Sequence, residues 1–219
     1  MEDLTKNIIE LQETYNISLY PLKTIKTDNN NKADYQDPKI LKDFWNNADI
    51  RLSTDYLINQ INKNNVCGFA IATGYKNNII VVDYDNKETT NKDFLNMLMD
   101  ADTLTISTPS GGYHFLFKYN ELLKKNARGI FNNVDIRGNR GLIFHVIRAD
   151  GEYKISNNKP IKKIKDNIIN LLTTNINGSN IDKKTPTDTN RHQKTNILKN
   201  MIYQKKKYLN FWNYCRVII

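Results

Sequence analysis

Between Val66 and Ile155 the chain is a succession of short, β-rich apolar runs, each cut off by glycine, asparagine or an acidic residue. VCGFAIATG and NNIIVVDYD come first, then TLTIST and YHFLFKY, then NNVDIRG, GLIFHVI and GEYKI. Runs of this length bounded by turn residues read as strands. Helical spacing interrupts the series. From Lys87 to Asp100 the apolar positions are Phe94, Leu95, Leu98 and Met99, which is the period of a helix. The flanks add more helix. Leu4, Ile8, Ile9, Leu11 and Tyr15 line one face over residues 2–15. Asp37-Pro38 opens another helix with Ile40, Leu41, Phe44 and Trp45 on its face, aspartate capping and proline fitting the first turn. Thr54 to Lys63 and Lys162 to Leu172 are further helices. ISLYPL reads as extended, and the polar stretch Lys23 to Asp37 as a loop. Strands and helices mingle along the chain, so the fold class is α/β of the mixed α+β kind.

The chain has 219 residues, enough for one domain with a small appendage. No run of about 18 apolar residues occurs, so no membrane span is expected. The opening MEDLTKNIIELQETY is acidic and amphipathic, unlike a secretory signal. Cys67 and Cys215 are the two cysteines; two cannot make a disulfide framework or a four-cysteine zinc site. These features predict a soluble protein of the cytoplasm without zinc. The 33 asparagines match an A/T-rich coding bias and carry no functional weight.

Charge is uneven. Residues 1–182 hold 23 basic and 22 acidic side chains, whereas residues 183–219 hold 9 basic and 1 acidic. A basic tail on a neutral body points to a polyanion; a solvated lysine-rich face is the other reading. Thr173 to Asn190 is Asn, Thr, Gly, Ser, Asp and Pro, a linker by composition. The expected organisation is a domain over 1–172, a linker over 173–190, and a basic helical segment over 191–219. That segment ends on the apolar VII, which predicts an incomplete domain or one that docks.

Three motifs carry chemistry. In Val81-Val82-Asp83-Tyr84-Asp85 the two carboxylates are two apart, so a strand puts them on one face, about 6–7 Å apart. They repel unless a cation lies between them. Mg²⁺ or Mn²⁺ takes carboxylate oxygens, and a metal pair suits phosphoryl transfer; a strand end running into an acidic loop is the alternative. In Thr108-Pro109-Ser110-Gly111-Gly112-Tyr113-His114 the glycines permit close approach of a ligand and can present N–H groups to phosphate. Ser110 and His114 add donors; an ordinary hairpin with a half-buried histidine is the alternative. In Val134-Asp135-Ile136-Arg137-Gly138 the acid and the base share a face. Either they pair with each other, or Asp135 serves the metals and Arg137 a phosphate.

The order and spacing of these motifs resemble the prim-pol branch of the archaeo-eukaryotic primase superfamily, the primase–polymerase domains of plasmid, phage and mobile-element replication proteins. VVDYD matches that family's Asp-x-Asp strand, TPSGGYH its Thr-Pro-Ser-Gly-Gly-x-His, and VDIRG its Val-Asp-x-Arg-Gly. Phe69-Ala-Ile-Ala-Thr-Gly74 is similar to its strand ending in Thr-Gly, and Gly151-Glu-Tyr153 to its closing hairpin. The resemblance covers roughly residues 15–170.

It implies a module like an RNA-recognition motif packed on an α/β unit, with the site in the cleft between them. It implies that Asp83, Asp85 and Asp135 hold two Mg²⁺ or Mn²⁺ ions. Ser110, Gly111, Gly112 and His114 would bind the phosphates of an incoming NTP or dNTP, with Arg137 assisting. The reaction implied is template-directed nucleotidyl transfer on a single-stranded DNA template and primer. A helicase, in the same longer chain or in trans, is the implied partner; no Gly-x-x-x-x-Gly-Lys-Ser/Thr lies within these residues. Asn190-Arg191-His192 resembles the start of the helical bundle that follows such domains. In the tail, Arg191, Lys194, Lys199, Lys205, Lys206 and Lys207 are candidate DNA contacts. One departure stands out: where the family has Ala-Pro-Pro-Ser, this chain has Ile143-Phe-His145-Val-Ile147. A catalytically weak DNA-binding initiation module, and a different two-metal phosphotransfer enzyme or nuclease, remain as alternative functions.

Overall fold

The computed structural model describes residues 2–26, 31–35, 51–63, 66–87, 91–131, 133–148 and 151–181. Two compact units divide the chain, Met1–Asn177 and Gly178–Ile219. The strands are β1 Leu19–Lys26, β2 Asn31–Tyr35, β3 Val66–Thr73, β4 Ile79–Tyr84, β5 Thr105–Ser107, β6 Tyr113–Lys118, β7 Ala127–Ile130, β8 Val134–Arg137, β9 Gly141–Arg148, β10 Gly151–Glu152 and β11 Lys154–Ile155. The helices are α1 Glu2–Ile9, continued by a π turn over Glu10–Thr14, then α2 Thr54–Lys63, α3 Lys92–Met99 and α4 Asp166–Ile181. None of the described helices is long and apolar enough to cross a membrane.

The strands form two sheets, β10-β9-β3-β1-β2 and β11-β5-β6-β4-β8-β7. All strand pairings within them are antiparallel. Side chains alternate across a strand, and the central strand β4 uses both sides. Ile80, Val82 and Tyr84 pack with Phe115, Phe117, Val134 and Ile136, under Phe94 and Leu98 of α3 and Ile168, Ile169 and Leu172 of α4. Ile79 and Val81 face the other way. They join Leu104, Ile106 and Leu116 in a core with Leu19, Phe69, Ile71 and Ile143 of the first sheet, and with Leu4, Ile8, Leu57 and Ile61 of α1 and α2. The second sheet is therefore buried on both faces. Asp83, next in the alternation after Ile79 and Val81, falls on the face turned toward the first sheet.

Several boundaries differ from the sequence expectation, and GEYKI divides between β10 and β11 of different sheets. The stretch expected as a loop from Lys23 is in part a hairpin: β1 continues to Lys26, and Leu22 to Lys26 pair with Tyr35 to Asn31. β2 is an edge strand, and its sequence NKADY is too polar to read as a strand. The last helix begins at Asp166 rather than Lys162, because Lys162 bridges Phe117 and its N–H donates to Thr103 Oγ1 at 3.1 Å. The same helix runs on to Ile181 through residues that read as linker. Leu172 is in the core and Ile176 packs against it, while Thr173 Oγ1 donates to the Ile169 carbonyl at 2.9 Å and Asn175 Nδ2 to the Leu171 carbonyl at 2.8 Å, which satisfies the polar side chains within the helix. The helix expected from Asp37 and the segment 191–219 lie outside the described residues.

α3 shows how few residues specify an element here. Asn91 precedes it with extended backbone, and its side-chain oxygen accepts the Phe94 N–H at 3.0 Å. Asp93 lies in the first turn, where a negative charge favours the helix dipole. Phe94 and Leu98, one turn apart, are the buried pair. Replacing Asn91 by alanine removes the cap and is expected to cost about 1 kcal/mol, a fall of about 2–4 °C in melting temperature for a chain of this size. Thermal unfolding of Asn91→Ala beside the parent protein checks this.

Candidate active site

Three neighbouring strands of the second sheet carry the candidate residues. Asp83 of β4 is directly opposite His114 of β6 on one side and Asp135 of β8 on the other. Residues opposite each other across an antiparallel pair point to the same face, so the three side chains project together. Arg137, two residues after Asp135, joins them. Its Nη2 donates to Asp83 Oδ2 at 2.9 Å and to Asp135 Oδ2 at 2.8 Å. His114 Nε2 is 3.4 Å from the other oxygen of Asp83, and the Gly129 N–H donates to the other oxygen of Asp135 at 2.9 Å.

The cluster is largely shielded: the side chains of Asp83, Asp135 and Arg137 are 16%, 22% and 21% exposed and that of His114 is 7% exposed. Burial alone pushes the Asp83 carboxyl up, but His114 and Arg137 outweigh it and hold the group below its ordinary range. Asp83 is thus an anion with two cation-capable partners.

Asp85 stands apart from this cluster. β4 ends at Tyr84, and the Asp85 carboxylate is about half exposed and 3.5 Å from Lys87 Nζ. Its backbone N–H donates to the Asn133 carbonyl at 3.0 Å. The expected three-carboxylate cage is therefore two carboxylates around an arginine. Among the described residues, no three His, Cys, Asp or Glu side chains form a group that could hold a metal. Asp83 and Asp135 nonetheless fit a hard cation, since an oxygen from each already converges on one positively charged nitrogen.

The Thr108–Gly112 turn lies over the end of β4. A Cβ at Gly112 would come within 2.4 Å of the Tyr84 carbonyl oxygen and 3.4 Å of Asp85 Cα, so this position admits only glycine. Gly111 has φ +80°, the left-handed region that glycine enters freely. The two glycine N–H groups are not available to a phosphate: Gly111 donates to the Thr108 carbonyl at 3.0 Å and Gly112 to Thr108 Oγ1 at 3.0 Å. The glycines give close approach rather than donors. Ser110 is exposed and its hydroxyl is 3.1 Å from Thr108 Oγ1, leaving a hydroxyl pair at the tip.

Where the sequence departs from the Pro-rich pattern, no loop interrupts the sheet. β9 runs unbroken over Gly141–Arg148 and pairs with β3 from Gly68↔Val146 to Thr73↔Gly141. His145 sits inside it, stacked on Phe69 with centroids 4.6 Å apart. Tyr153 packs against both histidine rings, 5.5 Å from His114 and 5.8 Å from His145. The link from Tyr153 to these histidines joins segments far apart in sequence, and its only sequence signal is the His in an apolar strand. The tail residues Arg191, Lys194, Lys199 and Lys205 to Lys207 lie outside the described residues.

Burial, reinforced by the neighbouring His114, lowers the His145 pKa from 6.5 to about 3. A depressed histidine pKa means that the unfolded chain takes up the proton and the folded one does not. The stability this confers is full above the unfolded value of 6.5 and drains away as pH falls toward 3. Between pH 7 and pH 5 the loss is expected to reach about 2 kcal/mol. Denaturant titrations across that range should show this loss in the parent protein and its absence in His145→Phe.

No curated protein matches the chain. The family described as bifunctional DNA primase/polymerase, N-terminal, matches residues 13–166, a span that contains both sheets and every residue of the Asp83–Asp135–Arg137–His114 cluster. A mixed α/β domain of antiparallel sheets is what that family leads one to expect, and the chain belongs to the Prim-Pol family of bifunctional DNA primase/polymerase N-terminal domains.

Proposed function

We propose that this domain catalyses template-directed, divalent-metal-dependent nucleotidyl transfer in the replication of a plasmid, phage or mobile element, with single-stranded DNA and an NTP or dNTP as substrates. The observation that carries the reading is the convergence of Asp83 and Asp135 on one cationic nitrogen, at 2.9 and 2.8 Å. Asp83 and Asp135 would hold Mg²⁺ or Mn²⁺, with Asp85 as the third carboxylate. When bound, the cation supplies Lewis-acid stabilisation of charge on the phosphate oxygens.

The other residues follow from their chemistry. Arg137 neutralises the carboxylate pair in the absence of substrate, and its planar fork suits a phosphate equally well. His114 offers its Nε2–H at the same carboxylate, within reach of a phosphate that replaces or joins Asp83. Ser110 adds a hydroxyl from the turn. Partial burial of the cluster strengthens each of these contacts relative to bulk water.

Primer extension with labelled nucleotides and Mg²⁺ or Mn²⁺ tests the reading. Asp83→Ala and Asp135→Ala are each expected to lower extension by at least about 10³-fold, the scale on which preorganised charge acts. Asp85→Ala should do the same if it completes the metal set; near-parental extension would remove it from that role. His114→Ala should raise the apparent KM for nucleotide more than it weakens DNA binding. Shortened products in place of extended ones would make the protein a nuclease, and no reaction would leave a DNA-binding module.

The basic tail has a separate role in this reading: Arg191, Lys194, Lys199, Lys205, Lys206 and Lys207 hold the template strand by its phosphates. Each phosphate neutralised on a single strand contributes about −0.7 to the slope of log affinity against log salt. A chain ending at residue 182 should bind single strands more weakly and with a shallower slope, while extending primers at high template concentration. Equal affinity and slope would assign the template to the catalytic domain alone.

A further inference from the structure

The site leaves two buried ring nitrogens without partners. His114 and His145 are 5% and 2% exposed, and the Nδ1 of each has no hydrogen-bond partner among the described residues. A buried polar atom left unpaired costs roughly 1–3 kcal/mol, and buried polar atoms are seldom left so. Their other nitrogens are engaged. His145 Nε2 is 3.0 Å from Asn7 Nδ2 of α1, and His114 Nε2 faces Asp83.

Those contacts decide where the protons sit. The Asn7 amide nitrogen only donates, so His145 Nε2 is the acceptor and the neutral ring carries its proton on Nδ1. The Asp83 carboxylate only accepts, so His114 carries its proton on Nε2, and its Nδ1 in the neutral ring is a lone pair. The two unpartnered atoms are therefore one donor and one acceptor, on two rings that pack against the same Tyr153.

We propose that His145 is a positioning residue for His114: its Nδ1–H and the Nδ1 lone pair of His114 are joined beside Tyr153 through one enclosed water, which holds the Nε2–H of His114 toward Asp83 and the substrate phosphate. A buried donor and a buried acceptor suit such a water. The near-parallel stack of His145 on Phe69, 8° between planes, sets the direction of its N–H from the core. Burial keeps His145 neutral at working pH, so the donor is always present. The chain runs from Asn7 through His145 and His114 to Asp83, coupling α1 and the first sheet to a carboxylate of the second. The phosphate part of this inference rests on the proposed function; the proton positions do not.

The full chain labelled with ¹⁵N-histidine tests it, since the sequence holds only 3 histidines. The parent protein at pH 7.5 is expected to show His145 as the Nδ1–H tautomer and His114 as the Nε2–H tautomer. His145→Phe keeps the stack on Phe69 and removes the donor. It should shift the His114 nitrogens toward a tautomer mixture and raise the apparent KM for nucleotide by at least about fivefold, more than it lowers kcat. Asn7→Ala, which frees His145 Nε2, should mix the tautomers of both rings. A proton on Nε2 of His145 in the parent, or an unchanged His114 spectrum in His145→Phe, overturns the proposal. An inactive parent protein defeats the proposed function alone, because the tautomers are read without turnover.

Discussion

The site depends on one shared cation. Asp83 and Asp135 lie opposite each other on adjacent strands, each mostly shielded from water. Two like charges about 4 Å apart repel by about 4 kcal/mol at an effective dielectric of 20. Arg137 cancels this by lending one nitrogen to both, and His114 takes the remaining oxygen of Asp83. The same arrangement that makes the folded protein tolerable without metal keeps an anionic pair aligned for a cation. A cation held by this pair would take the arginine's position, and Arg137 would then need a new partner.

This charge balance sits where it does because of β4. Its alternation sends Ile80, Val82 and Tyr84 under α3 and α4 and sends Ile79 and Val81 toward the first sheet. Asp83 inherits the second direction, at the point where the apolar packing gives way to polar residues. A one-residue slip in register would exchange the faces, placing carboxylates in the core under the helices. The hydrophobic core therefore fixes the orientation of the chemistry, and the site needs no separate scaffold.

The first sheet contributes through His145. A histidine in an apolar strand is costly unless its polar atoms are used, and here one nitrogen is tied to α1 and the ring is clamped on Phe69. With Tyr153 packed against both histidine rings, aromatic packing runs from the core of one sheet to the polar cluster of the other.

Much of this was legible in the chain. The apolar runs at Val66, Ile79, Tyr113, Val134 and Gly141 became strands because alternation and turn residues act within a few positions. Asp83, His114, Asp135 and Arg137 could be singled out because the order and spacing of their three motifs resemble the Prim-Pol pattern, each motif alone having an ordinary structural reading. Glycine at position 112 followed from a motif, and the structure supplies its reason in the Tyr84 carbonyl. β2 and β7 were not legible, since NKADY and ARGI are short and mostly polar and carry no apolar run. Nor was the extension of α4 through an Asn- and Thr-rich stretch, where Leu172 in the core and Ile176 packed against it override composition. The partners of each charge were decided only in three dimensions. That Arg137 would serve both aspartates, that Asp85 would turn toward Lys87, and that both glycine N–H groups would be spent inside their own turn depend on strand register and loop closure. Those are long-range pairings, and local sequence spacing carries no information about them.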